Sequence, residues 1–334
     1  MDGLYLIDKV LDHVRRDSDR TALVWVNAKG HEERSFSFGE LDAAARRLAS
    51  TLLNEGIARG DTAVLCYTPG VDFYIAFWAC LCAGIKAVPV SPPLTSSDLK
   101  RFLTIYTSSG ARVVLTDKLF TRLLTMKMRK HKAMRVGKGI AAIFKGTAAK
   151  SSGVTFGDLE SLWWITTSAL SDHGNACPLI PADPHETAFI MYSSGSTAAP
   201  KGALTSLANL RHQFEVIEAA CGSSPDHVSC WWAPHFHDFG LISGFLNCLH
   251  QGCTSVITSP MYFIQRPALW LEMIHNFKAT HTFGPDFGYL LMLRKTTREA
   301  REAGKWNLRT LKVAMSAAEK VRHTTLTDFA DAFG

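Results

Sequence analysis

The feature that most constrains this chain is a regular exchange between two hydrophobic periods over its first third. Ser37-Phe38-Gly39-Glu40 has the form of a capping box, with Phe36 and Leu41 placed to staple it. Leu41, Ala45, Leu48 and Leu52 then recur on one helical face, and Gly56 is the expected stop. Thr62 to Tyr67 reads as a buried strand, and an apolar helix follows from about Asp72 to Gly84. Ala87 to Val90 is the next short strand, Ser97 opens a helix that closes at Gly110, and Arg112 to Thr116 is another strand. Strands that alternate with helices need crossover connections, so the expected class is α/β, with mixed, largely parallel sheets flanked by helices.

The alternation resumes later. Thr187-Ala188-Phe189-Ile190-Met191 is a strand, and Ser206 caps a helix carrying Leu207, Leu210, Phe214, Ile217 and Cys221. Between them runs Tyr192-Ser193-Ser194-Gly195-Ser196-Thr197-Ala198-Ala199-Pro200-Lys201-Gly202. Gly195 allows backbone N–H groups to approach an anion, the hydroxyls of Ser193, Ser194, Ser196 and Thr197 donate, and Lys201 supplies a cation. The order strand, loop, helix is the one that phosphate binding favours. It is not the Walker loop, because Pro200 stands where that pattern has a glycine before the lysine. Further strands are expected at Ser255 to Ile257 and Leu311 to Met315, with helices around Ala268 to Phe277 and Thr324 to Phe333.

This loop resembles the phosphate-loop signature of the adenylate-forming synthetases and ligases. Three later segments narrow the resemblance to the fatty acyl-AMP ligase branch. They are Trp231-Trp232-Ala233-Pro234-His235-Phe236-His237-Asp238-Phe239-Gly240-Leu241-Ile242, the stretch from Ser259 to Leu271, and the pair Phe283-Gly284-Pro285-Asp286-Phe287 and Ala314-Met315-Ser316-Ala317-Ala318-Glu319.

The resemblance implies ATP-dependent activation of a fatty acid to its acyl-adenylate, with transfer to an acyl carrier protein in lipid or polyketide synthesis. ATP and Mg2+ are the implied cofactors. Coenzyme A as acceptor, and a non-catalytic acyl- or nucleotide-binding fragment, are the alternatives. Lys201 and His237 carry the implied catalytic roles. Ser193, Ser194, Gly195, Ser196, Thr197, Lys201 and Gly202 would hold the phosphates, with Thr197 also on the metal, and Ser316, Ala317, Ala318 and Glu319 would pass beside the adenine. The acyl group would lie against Trp232, His237, Asp238, Phe239, Gly240, Ile242, Phe283 and Phe287, where each buried methylene contributes about 0.8 kcal/mol. Ala317 and Lys320 depart from the family's usual glycine and proline; Ala317 would be strained if its φ were positive. The resemblance also implies a C-terminal domain with a catalytic lysine, which these 334 residues do not include. The expected organisation is one N-terminal adenylation domain over 1–334, with a first α/β part at 1–120, a basic insertion or loop at 121–156 and a phosphate-loop and acyl part at 157–334.

Two other readings of the histidines stay open on sequence alone. His235 and His237 would share a face if extended and could ligate zinc, though no third ligand follows at a familiar spacing; either could also be a satisfied structural histidine.

Composition bounds the rest. The net charge of +6 is local, because Thr121 to Lys150 holds nine basic residues and no acidic one, leaving −3 for the remainder. A solvated surface segment is the plain reading; contact of 122–150 with an anionic membrane surface or an acidic carrier is the other. Phe144 is the single aromatic there, too few for base stacking, so no nucleic-acid partner is expected. The apolar run Tyr74 to Ile85 is shorter than the ~20 residues of a membrane span. Eight scattered cysteines without a disulfide or zinc spacing, and no secretory signal, lead to the expectation of a reduced, cytoplasmic protein.

Overall fold

In the computed structural model, residues 5–129, 155–170, 176–177, 183–193 and 199–333 are described. The expected phosphate-loop positions Ser194, Gly195, Ser196, Thr197 and Ala198 lie outside them, as does residue 130 onward of the basic stretch up to 154.

Strands β1 (Thr21–Val26) and β2 (Glu32–Ser37) join β9 (Val228–Trp231), β10 (Thr254–Thr258), β11 (His281–Gly284) and β12 (Val313–Ser316) in one six-stranded sheet, ordered β12-β11-β9-β10-β1-β2. A second six-stranded sheet takes β3 (Thr62–Cys66), β4 (Lys86–Val90), β5 (Val113–Thr116), β6 (Trp164–Thr166), β7 (Thr187–Tyr192) and β8 (Gly202–Ser206), ordered β6-β5-β3-β4-β7-β8. Neighbours are parallel except at one edge of each sheet, where β2 runs against β1 and β8 against β7. The expected class is the one observed.

Alternation along the strands splits their side chains between layers. Leu23 and Trp25 of β1 and Ala63 and Leu65 of β3 enter one shared core, while Val24 and Val26 face one outer layer and Val64 and Cys66 the other. The helices α1 (Leu6–Arg16), α2 (Phe38–Asn54) and α3 (Val71–Ala83) fill the space between the sheets. Helix α3 is apolar all round, as a helix covered on every side must be, and Gly84 in the left-handed conformation ends it. Inside this layer Trp78 Nε1 donates to Asp42 Oδ1 at 3.4 Å, and burial pushes the Asp42 carboxyl up from its ordinary value.

Outside the second sheet lie α4 (Ser96–Ser108) and the helix α5 (118–129), through Leu99, Phe102, Ile105, Phe120 and Leu124. The described beginning of the expected basic loop is therefore helical, and its apolar positions Phe120 and Leu124 anchor it. Outside the first sheet lie α8 (Pro260–Gln265), α9 (Ala268–Asn276), α10 (Asp286–Lys295) and α12 (His323–Phe333), around Phe263, Trp270, Tyr289 and Phe329; α7 (Asn247–Gln251) and α11 (Arg298–Glu302) are short helices of five residues. No helix among the described residues is long and apolar enough to cross a membrane.

The caps place most helix starts where the sequence put them. Ser37 accepts from Glu40 N and the Glu40 carboxylate returns to Ser37 N at 2.9 Å. Helix α4 begins one residue earlier than expected, because Thr95 takes the cap and Asp98 completes it.

Candidate active site

Strands β7 and β8 are the two arms of an antiparallel hairpin. Tyr192 pairs with Gly202, and one step beyond, Ser193 N donates to Lys201 O at 3.0 Å, so the neck of the phosphate loop is closed by backbone bonds. This corrects the order expected from sequence. Helix α6 (Leu207–Cys221) does not follow the loop directly: β8 intervenes and carries the chain back until Ser206 lies opposite Thr187. The N-terminus of α6 therefore sits at the far end of the hairpin. That helix end is not beside Lys201, where the sequence order would have put it.

Helix α4 braces the neck. Arg101 Nη2 donates to Ser193 O at 2.8 Å, and Ser108 Oγ and Tyr192 OH share a hydrogen bond of 2.9 Å. Neither residue carries a motif. Their role follows from β4 lying beside β7 in the sheet, which the sequence does not state.

His237 reaches the same place from the other sheet. The chain leaves β9 through Trp232 and turns at His235 to His237, with His237 N donating to Pro234 O at 3.0 Å. A helix of π type follows over Phe239–Leu246, in which Asn247 N bonds Ile242 O. Two glycines let it pack there. A Cβ on Gly240 would meet the carbonyl oxygens of Pro234 and, at 2.9 Å, Ala233, and one on Gly244 would meet the Trp231 ring at 2.5 Å.

His237 Nδ1 lies 2.7 Å from Asp238 Oδ1, and Phe239 N donates to the same oxygen at 2.7 Å. The hydrogen bond to Asp238 raises the His237 pKa above the ordinary imidazole value and lowers that of Asp238. Nδ1 is thus engaged within the turn, by Asp238 Oδ1 and by Phe239 N at 3.2 Å, leaving Nε2 for a second partner. His235 behaves differently. Its ring is 4.2 Å from that of Phe73, it is buried, and burial pushes its pKa down to about 3. The turn thus separates the two histidines that an extended chain would have put on one face.

A cleft of about 540 Å³ joins these parts. The ends of β4 (Val90, Ser91) and β7 (Tyr192, Ser193), Lys201, Arg101 and Asp98 of α4, and His237 with Asp238 all line it. It lies beyond the C-terminal ends of parallel strands, where open α/β sheets place their ligands.

The expected acyl residues divide by layer. Phe239 and Phe283 have ring centroids 5.0 Å apart, Phe283 stacks on Trp231 at 5.7 Å, and Ile242 packs against the same inner core. Trp232 does not belong with them. One residue beyond Trp231, it points to the outer layer, stacked on Phe263 at 3.9 Å and edge-on to Trp270. Phe287 follows it outward, 5.6 Å from the Trp232 ring and 40% exposed. The branch-typical stretch Ser259 to Leu271 is outer-layer packing too, with Phe263, Leu269, Trp270 and Leu271 all buried.

Ser316 ends β12, and the turn after it is tied to α10. Ala317 N donates to Gly284 O at 3.3 Å, Phe287 N donates to Glu319 Oε1 at 2.6 Å, and Arg322 binds the buried Asp286 through Nε and Nη2, each at 2.8 Å. The left-handed residue is Ala318, with φ 68°, and not Ala317. None of Ser316 to Glu319 lines the cleft; they lie at the same C-terminal edge of the first sheet, one strand beyond β11.

Comparison with known proteins gives one consistent relationship. The family model of AMP-binding enzymes matches residues 10–334. The medium-chain-fatty-acid–acyl-carrier-protein ligase JamA of Moorena producens is 32% identical over 98% of this chain and 52% of its own length. The corresponding ligase TtuA of Teredinibacter turnerae is 26% identical over 97% of the chain and 52% of its own length. The fatty acyl-adenylate ligase of Legionella pneumophila, solved with acyl adenylate and pyrophosphate, superposes with a TM-score of 0.83 at 26% identity, over 99% of this chain and 52% of that one. The chain spans about half the length of the curated relatives it matches. The chain belongs to the AMP-binding enzymes and is related to their fatty acyl-AMP ligases.

Proposed function

We propose that this chain is the nucleotide- and acyl-binding part of a fatty acyl-AMP ligase, which activates a fatty acid with ATP and hands the acyl group to an acyl carrier protein. The observation that carries the reading is the single cleft onto which both the neck of the phosphate loop and His237 open. In the reaction an oxygen of the fatty acid carboxylate attacks the α-phosphorus of ATP; the bond from that phosphorus to pyrophosphate breaks, and the electron pair leaves on pyrophosphate. No proton need move. The task is to hold two anions together and screen their charge.

Lys201 and the loop's donors take the β- and γ-phosphates. His237, whose bond to Asp238 favours the protonated form, faces the carboxylate and α-phosphate, and Phe239 and Phe283 receive the start of the alkyl chain. Asp98 and Asp238 are already engaged, the first by Leu94 N and Thr95 N at 3.2 and 2.9 Å, the second by His237. Magnesium would therefore take mostly nucleotide oxygens and water, which suits that ion, with Thr197 as its proposed protein ligand. It would supply screening of the phosphate charge. Ser316, Ala317, Ala318 and Glu319 are proposed to border the adenine. The names of JamA and TtuA, which carry an acyl-carrier-protein acceptor, support that acceptor, and coenzyme A is the alternative.

Calorimetric titration of the chain with ATP tests the nucleotide part. Lys201→Ala should weaken binding at least about tenfold, as loss of a charge-assisted bond to phosphate implies. No heat of binding, or an unchanged affinity in the variant, would remove the basis of the proposal.

A further inference from the structure

Beside Phe283 lies a partly open cavity of about 30 Å³ with an unexpected lining. Phe283 and Met315 are part of its wall, yet Ser229, Ser243, Asn247, His227 and His281 also line it. Asn247 is 6% exposed, and its Oδ1 is buried without a hydrogen-bond partner among the described residues. Phe239, Ser243 and Asn247 recur at intervals of four along one helical segment, so the asparagine lies about two turns beyond Phe239.

We propose that this cavity receives the far end of the fatty acyl chain and selects chains that end in a hydroxyl group. The inference rests on the acyl-binding reading above and specifies its substrate class. A methyl terminus would leave the Asn247 oxygen unpaired and press against serine hydroxyls, whereas a hydroxyl hydrogen donated to Oδ1 satisfies it. A hydroxyl both donates and accepts, so it pairs with either orientation of the amide. Charged termini fit poorly. No Asp, Glu, Lys or Arg lines the cavity, and a buried ion without a partner is far more costly than a buried dipole. The two histidines do not change this. His281 is engaged on both nitrogens, by Thr280 Oγ1 at 2.9 Å and Cys221 O at 3.1 Å, and His227 Nδ1 accepts from Ser224 N at 2.9 Å. The volume suits a terminal group and not a second chain.

The test is calorimetric titration of the full chain with 12-hydroxydodecanoate and dodecanoate, both below their aggregation limits. The hydroxy acid should bind at least about tenfold more tightly, the factor that one well-placed buried hydrogen bond provides. Asn247→Leu should abolish that preference or reverse it towards dodecanoate. The wild-type comparison stands even if the variant folds poorly. Equal or tighter binding of dodecanoate by the wild type, or an unchanged preference in a folded Asn247→Leu chain, overturns the hydroxyl assignment and leaves the acyl reading standing. Binding of neither acid overturns both.

Discussion

Gly240 offers the sharpest test of how the His237 turn is held. In the Gly240→Ala chain the new Cβ meets two backbone carbonyl oxygens, those of Pro234 and Ala233, the latter at 2.9 Å. Neither can rotate away as a side chain would, so the helix start must move outward by several tenths of an ångström. Overpacking of this kind costs about 1–3 kcal/mol, and the rigidity of the obstacle puts the cost in the upper half. Alanine in place of glycine in a helix returns about 1 kcal/mol. The net expectation is destabilisation by about 1–2 kcal/mol. Gly157 provides the control, since its Cβ would find only Thr155 Oγ1 at an ordinary 3.4 Å; Gly157→Ala should be neutral within about 0.5 kcal/mol or slightly stabilising.

The functional consequence should exceed the loss of stability. Leu241 N bonds His237 O at 2.9 Å, so a displaced helix start carries the imidazole with it. A shift near 1 Å in a positioning group can cost about 100-fold in rate. Urea unfolding of both variants, with fatty acid binding measured in the same preparations, separates the effects. If Gly240→Ala unfolds at the wild-type urea midpoint or above it, the close approach does not constrain the turn and the argument fails.

The His237–Asp238 pair predicts a pH dependence whose direction is fixed. The raised His237 value means that its attraction for Asp238 is complete below about pH 6.5 and is lost as pH rises through the raised pKa; the lowered Asp238 value adds a contribution present above about pH 3.8 and lost as pH falls through its own pKa. Both side chains are substantially exposed, at 43% and 65%, so the effect on stability is at most about 1 kcal/mol. The readable quantity is fatty acid affinity, which should weaken as pH rises through the His237 value; Asp238→Asn should move that weakening to lower pH, and an unmoved midpoint would detach Asp238 from the role. Arg101→Met removes the donor to Ser193 O and should weaken ATP binding by about three- to tenfold at unchanged thermal stability. Calorimetry on that variant showing wild-type affinity would reduce Arg101 to a surface residue.

Where the chain's physics is local, the sequence was a sufficient guide. The caps at Ser37 and Ser206 need only residues three apart, and both form as read. The parallel strands β1, β6, β9 and β11 were not expected from the sequence, whereas β3, β4, β5 and β10 announce themselves by near-complete burial. The antiparallel edges did not, for a reason visible in their burial: Glu32 to Arg34 and Gly202 to Leu204 are exposed, so no apolar period marks β2 or β8. Missing β8 also put the end of α6 at the phosphate loop. Trp231 and Trp232 show a second limit. Alternation guarantees that they face opposite layers, but both are apolar, and nothing in their order says which one faces the core that holds Phe283. Arg101 shows a third, since its partner is found only once β4 and β7 are known to be neighbours.

The turn after β12 joins these points. Reasoning from Ala317 placed the strain where the family has glycine, yet the left-handed backbone falls on Ala318, where an alanine costs about 1–2 kcal/mol. That cost is opposed by two ties to α10, Glu319 accepting from Phe287 N and Asp286 accepting from Arg322 and, at 3.3 Å, Thr325 Oγ1. Asp286 is fully buried and the Arg322 side chain about half exposed. The carboxylate is thus the desolvated member of the pair, and it needs its donors more than the arginine needs its acceptor. Lys320, standing between Glu319 and Arg322, needs no special conformation: the ties on either side fix the path that a proline would otherwise stiffen. The turn keeps its shape through contacts with α10 that lie more than thirty residues upstream, and for that reason a departure from the usual residues at Ala317 and Lys320 does not by itself deform the edge where the adenine is proposed to lie.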